Sequence, residues 1–353
     1  MKINKQLSIS LTAITMLINL LMACQYNVGS KQKQKLQLRP AIQRIVDSMA
    51  KYNQVNSSGV GEAGVRTVQW TRYEQLSKTA TLPELRALTN HKNPVVRCYA
   101  LDALSARNDT ATFSIVLAHL HDTARVSTFM GCIINSYLVG DYFLNAVIPY
   151  DSTSTGYRLT KHQKQIVDSI LLYDKHMALS AKYNLLYDMN PQAKYYNRVK
   201  EIATLEKMPV AIWTLARYRK SSDIGIIRDA FNDNKDSRKE DYAIRAAIEM
   251  PDSSFYPKLT GIFEREWKEK LYDYGKWQVL YEALARYPDK AQTLQLFKRT
   301  LATKDEFRYK TLGTDLLIAI TKYPNPLFEP LKRQIKLDKY SMEDVVRALN
   351  ENE

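Results

Sequence analysis

The feature that most constrains the fold is a helix end that recurs along the C-terminal half of the chain. Five apolar segments end at a Met or Tyr residue, and Pro follows most of these ends within two residues. Aligned on one position, the ends lie at Met189, Tyr218, Met250, Tyr287 and Tyr323, which are 29, 32, 37 and 36 residues apart. A second apolar segment follows each of the last four ends, at 224–231, 259–263, 294–301 and 327–335. A period of about 30 to 40 residues is typical of stacked helical hairpins, so the sequence predicts an all-α protein.

Composition supports long helices. The chain of 353 residues contains only 11 Gly and 12 Pro, which argues against turn-rich β, collagen-like and low-complexity architectures. Its 45% hydrophobic and 25% charged residues are the balance of a folded protein with a large core.

The most regular stretch is 81–109, where two helix starts follow each other closely. Thr81 to Glu84 has the form of a capping box with Pro in the first turn, and Asn93 before Pro94 gives a second N-cap. After the second cap, apolar residues recur on one helix face at Val96, Ala100, Ala103 and Leu104. The pattern predicts a tight antiparallel helix pair.

The run from Asn93 to Leu104 closely resembles the second helix of a HEAT repeat. The residues that carry the resemblance are Asn93, Pro94, Val96, Arg97, Ala100 and Leu104. It implies a right-handed α-α superhelix, a HEAT/armadillo-like solenoid of stacked helical hairpins. It also implies that Arg97 is structural and bonds to acidic or backbone groups of neighbouring repeats. Outside 81–109 only the pattern matches, so armadillo-like and other helical-hairpin repeats remain open.

The N-terminus has the pattern of an export signal. Residues 1–23 carry Lys2 and Lys5 ahead of an apolar run that is too short to span a bilayer comfortably. Leu21 to Cys24 resembles the lipobox of bacterial lipoproteins, which implies cleavage before Cys24 and acylation of this residue. Two or three acyl chains give stable membrane attachment. Residues 24–40 are polar and basic without an acid, and we expect a flexible tether.

From Arg66 onward the chain also resembles HEAT-like lipoproteins of Bacteroidetes-type bacteria, from which no activity carries over. The predicted organisation is N-terminal helical repeats over 41–150, a loop over 151–160 and degenerate repeats over 161–353. The resemblance implies the bacterial envelope, with lipid attachment to the outer membrane (periplasmic face or cell surface) favoured over the inner membrane. For Cys98 and Cys132, a disulfide bond and two separately packed thiols are both open.

Sequence motifs for catalysis, cofactor binding or metal binding are either absent or lack the structural context that they require. Residues 59–64 match G-x-G-x-x-G, but a dinucleotide site needs a preceding strand; the sequence before it looks helical, so we expect a linker between helices. His119 and His121 are two residues apart and would face different sides of a helix, so we expect exposed helix-end residues. There is no H-E-x-x-H, G-x-S-x-G, P-loop or Cys-x-x-Cys. We therefore expect no enzymatic activity, cofactor or metal.

Tyrosine is in excess, with 23 residues, and several lie next to basic residues. The candidate binding surface comprises Tyr195, Tyr196, Arg217, Tyr218, Arg219, Lys220, Arg308, Tyr309 and Lys310. Such residues would bind a glycan or an acidic polypeptide through stacking and charged hydrogen bonds. Alternatively, the tyrosines border the packed faces with their hydroxyl groups in water.

The net charge of +14 would suggest nucleic acid in a cytoplasmic protein, but the export signal favours envelope partners instead. The predicted function is a lipid-anchored, non-enzymatic protein–protein interaction scaffold. The alternative is a protein that binds glycan or an anionic polymer. The oligomeric state is left open.

Overall fold

The computed structural model describes residues 37–148, 156–232, 237–269 and 274–350. The predicted signal peptide, Cys24 and most of the tether lie outside these residues. Helix makes up 67% of the structure, in 18 α-helices beside one small sheet, which confirms the mainly helical class. The chain divides into two compact units, Met1–His119 with Ala124–Arg158 (the N-terminal unit) and Leu120–Thr123 with Leu159–Glu353 (the C-terminal unit). Their boundary after Arg158 falls in the predicted loop.

The N-terminal unit packs around one central helix. In chain order its elements are α1 (Pro40–Tyr52), β1 (Val55–Val60), α2 (Val68–Thr79), α3 (Leu82–Leu88), α4 (Pro94–Ala106), α5 (Thr112–Ala118), β2 (Arg125–Gly131), β3 (Ile133–Leu138) and α6 (Val139–Val147). Helix α4 contacts α2, α3, α6 and β2, and ten of its thirteen residues are buried. The unit is therefore built on the helix whose sequence resembles a HEAT repeat.

The helix pair predicted over 81–109 is confirmed as α3 and α4. The capping box at Thr81 is formed, and the Asn93 side chain accepts hydrogen bonds from two backbone amides at the start of α4. The predicted face of α4, with Val96, Ala100, Ala103 and Leu104, is fully buried. Arg97 Nη1 donates to the His91 carbonyl at 2.8 Å, in the turn just before its own helix.

A three-stranded sheet in the N-terminal unit was not predicted. Its order is β1-β2-β3, with β1 parallel to β2 and β2 antiparallel to β3. Val126 and Thr128 of β2 are buried on one face of the sheet. The strands are short, so the sheet adds to a helical unit without changing its class.

The linker predicted for the G-x-G-x-x-G stretch is wrong in part, because Gly59 lies in β1. Beyond it, Gly61 and Gly64 have positive φ and form a turn in which the Gly64 amide bonds to the Gly61 carbonyl at 3.0 Å. The Gly61 amide donates to the Gly131 carbonyl of β2 at 2.8 Å. Both amides are used within the protein, and four helices separate β1 from β2, so the stretch is a structural turn rather than a phosphate cradle.

The structure also places the cysteines and two histidines. Cys98 is buried in α4, whereas Cys132 is exposed between β2 and β3, and no disulfide bond joins these two described residues. His119 is buried with its ring 4.8 Å from that of Phe143, so its predicted exposure is wrong. His121 is exposed as predicted, beside Asp174. Within the described ranges no group of three or more His, Cys, Asp and Glu residues is placed to hold a metal ion.

The C-terminal unit contains twelve α-helices among its described residues. They are α7 (Lys161–Tyr173), α8 (Ser180–Asp188), α9 (Tyr196–Glu201), α10 (Pro209–Ala216), α11 (Ile224–Ala230), α12 (Ser237–Glu249), α13 (Tyr256–Lys268), α14 (Tyr274–Ala285), α15 (Ala291–Leu301), α16 (Glu306–Lys322), α17 (Glu329–Gln334) and α18 (Lys339–Asn350). A π-helical turn, Ile202–Glu206, extends α9. Across residues 37–350 with their gaps, no helix has the length and apolar character that crossing a membrane requires.

Alternate helices of this unit pack side by side. Helices α8, α10, α12, α14, α16 and α18 each contact the next in this series, which we call the helix row. Helices α11, α13 and α15 pack against α12, α14 and α16. Five members of the helix row end within two residues of the aligned ends in the sequence, so the predicted helix ends are confirmed.

Candidate functional site

A groove with a volume of about 730 Å³ crosses the helix row. Helices α10, α12, α14 and α16 all contribute side chains to it, and Leu349 of α18 closes one part. The lining residues are Trp213, Arg245, Ile248, Glu249, Gly275, Gln278, Val279, Glu282, Thr321, Lys322, Tyr323 and Leu349. A groove that continues over four neighbouring helices can accommodate an extended chain.

Equivalent repeat positions build the groove. Trp213, Arg245 and Glu282 each lie five residues before an aligned helix end, and Glu249 and Lys322 each lie one residue before an end. Residues four apart share one face of a helix. The repeat therefore brings the same face of successive helices to the groove. This signal is present in the sequence as a distance from the aligned helix ends and not as a local motif.

Aromatic rings form one end of the groove. The Trp213 ring lies 4.8 Å from that of Tyr187 and 6.4 Å from that of Tyr242, and the Arg217 guanidinium lies 4.6 Å from its centroid. Trp213 Nε1 donates to Glu249 Oε1 at 3.3 Å. These contacts hold the indole in place, so this end of the groove is rigid and partly covered by a cation.

Arg245 is the side chain best placed to bind a ligand at this end. It lines the groove half-buried, with its guanidinium 5.8 Å from the Trp213 centroid. It makes no hydrogen bond or ion pair with any residue of the described ranges. A guanidinium carries five N–H donors, so Arg245 offers a positive charge and several donors to whatever enters the groove.

The other end of the groove contains a bonded set of charges. Glu282 Oε1 accepts from Lys322 Nζ at 3.0 Å and from Gln278 Nε2 at 3.1 Å. The Arg286 guanidinium lies 5.1 Å from the Tyr323 centroid. Burial, helped by the charge of Glu282, raises the pKa of Tyr323 to about 12. The Tyr323 hydroxyl is therefore a neutral donor near pH 7.

A second cavity, of about 400 Å³, lies between α16 and α18 and shares Gln278 with the groove. Asp315 of α16 lines it, and its Oδ2 atom is buried without a hydrogen bond to any described residue. Burial, with a smaller contribution from the charge of Glu282, raises the pKa of Asp315 to about 7. This carboxyl group therefore titrates near neutral pH.

In the first part of the predicted tyrosine and basic surface, residues 195–196 and 217–220, basic side chains lie against the tyrosine rings. Lys220 Nζ lies 3.3 Å from the Tyr196 centroid, and the Tyr196 ring packs edge-on against Tyr218 at 5.4 Å. Lys194 Nζ lies 4.6 Å from the Tyr195 centroid.

The two arginines of this part differ. Arg217 Nη2 donates to the carbonyls of Leu186 and Tyr187 at 2.8 and 3.0 Å, and burial lowers the pKa of Arg217. Arg219 is exposed, with a positive φ and a long ion-pair distance of 4.0 Å to Glu249. Arg217 thus ties α10 to α8, whereas Arg219 is exposed near the edge of the groove.

The second part of that predicted surface, residues 308–310, bonds to residues outside the predicted surface. Arg308 Nη2 donates to the Trp267 carbonyl at 2.7 Å, and its guanidinium lies 3.9 Å from the Trp267 centroid. The Tyr309 hydroxyl accepts from the Lys336 amide at 2.9 Å, and Lys310 pairs with Asp338 at 2.5 Å. The nine predicted residues thus divide between two separate sets of elements, and none of the nine is among the residues that line the groove.

Comparison of the chain with protein-family models, with curated proteins and with solved structures found no match in any of the three. Function is therefore inferred from the groove and from the sequence alone.

Proposed function

We propose that this chain is a non-enzymatic interaction scaffold that binds a segment of another envelope protein in the groove of the helix row. The observation that carries the proposal is that equivalent positions of successive repeats line one continuous groove. Repeat arrays present extended binding surfaces of this kind. We further propose that the helix pairs form a HEAT-like, right-handed α-α superhelix.

The charges in the groove favour an acidic peptide segment as the ligand. Arg245 has donors to spare, and Arg219 adds positive charge nearby. Lys322 offsets the negative charge of Glu282, and Glu249 is hydrogen-bonded to the neutral indole of Trp213. The proposal includes no catalytic residue and no cofactor.

The aromatic residues support a peptide ligand over a glycan. Sugars bind aromatic side chains by stacking on an open ring face. Cations lie over the rings of Trp213, Tyr195, Tyr196 and Trp267, at 4.6, 4.6, 3.3 and 3.9 Å. Each cation occupies one face of its ring, which reduces the ring area open to stacking by a sugar. Binding of a glycan or anionic polymer is the alternative that the test must exclude.

Reversing the charge at Arg245 is expected to weaken partner capture about tenfold or more, since a charged hydrogen bond contributes about 1.5 to 3 kcal/mol. The measurement is affinity capture of the full-length protein from envelope extracts, with cross-linking and mass spectrometry, for the parent and Arg245→Glu. Arg228→Glu, at an exposed arginine of α11, is the matched control and should capture normally. Equal capture by parent and Arg245→Glu would contradict the groove proposal, and selective retention on a glycan array would favour the alternative.

Membrane attachment is proposed to depend on Cys24. Cys24→Ala removes the thiol that the lipobox resemblance marks for acylation, and stable anchoring requires more than one acyl chain. We expect loss of metabolic labelling by a fatty-acid analogue and release of the protein from washed membranes. Cys132→Ala is the matched control and should keep both. A Cys24→Ala protein that is still labelled would show that the lipobox interpretation is wrong.

A further inference from the structure

The tip of the β2–β3 hairpin is apolar on both of its faces. Met130 pairs with Ile133, and Phe129 pairs with Ile134 in the antiparallel register. Directly opposed residues point to the same side of a sheet, and successive residues point to opposite sides. One face of the tip therefore carries Met130 and Ile133, and the other carries Phe129 and Ile134.

Three of these four side chains are exposed, and Phe129 is half-buried. Met130, Ile133 and Ile134 are 40, 62 and 64% exposed, whereas Val126 and Thr128 nearer the base of β2 are buried. A strand that only covers a core exposes polar residues on its outer face. An exposed tip with apolar residues on both faces is instead typical of an interaction site.

The hairpin is held in a fixed shape. A two-residue turn, Gly131 and Cys132, joins the strands, and Gly131 has a φ of 54°. The Gly131 amide donates to the Ser57 hydroxyl at 3.2 Å, and the Gly131 carbonyl accepts from the Gly61 amide at 2.8 Å. Strand β1 and the turn after it thus hold the tip in a fixed conformation. Moving the tip out of water therefore costs little conformational entropy.

Charge and chain length indicate what covers this tip. No residue from 126 to 140 is charged, although a quarter of the chain is. This composition suits hydrocarbon better than the polar rim of a protein interface. From Cys24 to Gln37 the chain can reach about 45 Å at about 3.5 Å per residue, which is comparable with the diameter of a unit of this size. A membrane attached at Cys24 is therefore within reach of any face of the N-terminal unit.

We propose that the tip of the β2–β3 hairpin inserts its apolar side chains into the surface of the lipid bilayer to which the chain is attached. The inference rests on the proposed attachment through Cys24. It adds a second, non-covalent contact, which would fix the orientation of the N-terminal unit on the membrane. Glu62 in the adjoining turn carries a negative charge, so insertion is expected to depend on apolar contact rather than on anionic head groups.

The exposed thiol of Cys132 allows a direct test on the full-length lipidated protein. Cys98 is buried, so an environment-sensitive fluorophore such as a nitrobenzoxadiazole maleimide reacts at Cys132 under native conditions. The labelled protein is reconstituted into phosphatidylcholine vesicles, and co-flotation, emission and iodide quenching are measured. We expect a blue-shifted emission and iodide quenching that is several-fold weaker on vesicles than in detergent-free solution.

Two variants make the test specific. Ile133→Asn with Ile134→Asn alters only exposed side chains, and its label should stay open to iodide on vesicles. A Cys132→Ser, Ser114→Cys protein carries the label on an exposed position of α5, which should also stay open. If the parent co-floats but its Cys132 label is quenched as in solution, the tip proposal is wrong and the attachment stands. Absence of co-flotation overturns both, and equal shielding at positions 114 and 132, or shielding by self-association without lipid, overturns the tip proposal.

Discussion

Replacing Glu206 by Gln is expected to lower the free energy of unfolding of the C-terminal unit by about 3 to 5 kcal/mol. Glu206 lies at the end of the π-helical turn and pairs with two buried cations. Lys182 Nζ donates to Glu206 Oε2 at 2.7 Å and to the Asp174 carbonyl at 3.0 Å. Arg198 forms an ion pair with Glu206 and a second one with Glu201 at 3.0 Å. Without the Glu206 carboxylate, Lys182 is a buried charge with no counter-charge among these contacts.

Urea unfolding followed by tryptophan fluorescence measures this loss, because Trp213, Trp267 and Trp277 all lie in the C-terminal unit. Glu201→Gln is the matched control. The Glu201 side chain is more exposed than that of Glu206, so its loss should cost about 1 kcal/mol or less. Adding Lys182→Met to Glu206→Gln should recover part of the stability, because the uncompensated ammonium is removed. A Glu206→Gln protein as stable as the Glu201→Gln control would contradict this account of the buried ions.

The titration of Asp315 is expected to lower the stability of the C-terminal unit as the pH rises from about 4 to about 7. Its pKa is raised from 3.8 to about 7 in the folded chain. Below pH 4 the carboxyl group is protonated in both states, and above that pH the unfolded chain ionises first. Three pH units correspond to a loss on the order of 4 kcal/mol at pH 7.

Asp315→Asn keeps the shape of the side chain and removes the titration. We expect the variant to be more stable than the parent at pH 7 and close to it at pH 4, by urea unfolding at each pH. The difference between the two proteins isolates Asp315 from groups with lowered pKa values, such as Asp338, whose pKa of about 2 confines most of its change in stability to below about pH 4. Asp338→Asn therefore serves as a control whose stability difference from the parent should change little between pH 4 and pH 7. A parent–variant difference that does not change with pH would contradict the assignment to Asp315.

Helix boundaries were predictable where local chemistry decides them. Asn93 before Pro94 caps α4 as expected, because the cap depends only on a side-chain oxygen and the amides that follow it. The sheet was not predicted, because the polar sequence of β1 lacks the apolar alternation of a strand and is paired by residues far along the chain. In β2, Val126 and Thr128 do alternate toward the core, and the Gly131–Cys132 turn was a usable hairpin signal.

The groove could not be predicted from local clusters because its residues come from five helices. Arg217, Tyr218 and Lys220 were predicted to bind a ligand because they are neighbours in sequence. In the structure, Arg217 bonds to a carbonyl of α8 and Lys220 lies over the Tyr196 ring. Arg245 has no such neighbours and gave no local signal. Its position relative to the aligned helix ends did contain the information, because a repeat converts equal spacing in sequence into neighbouring faces in space.

The parallel pairing of β1 with β2 affects the order in which the chain folds. More than 60 residues lie between the two strands, so β1 cannot pair with β2 until these residues and β2 have been synthesised. Closing such a long loop slows folding, whereas contacts between successive repeats form locally. The N-terminal unit is synthesised first, but its sheet can form only after β2 has been synthesised. The helix row can instead fold as each successive helix is added.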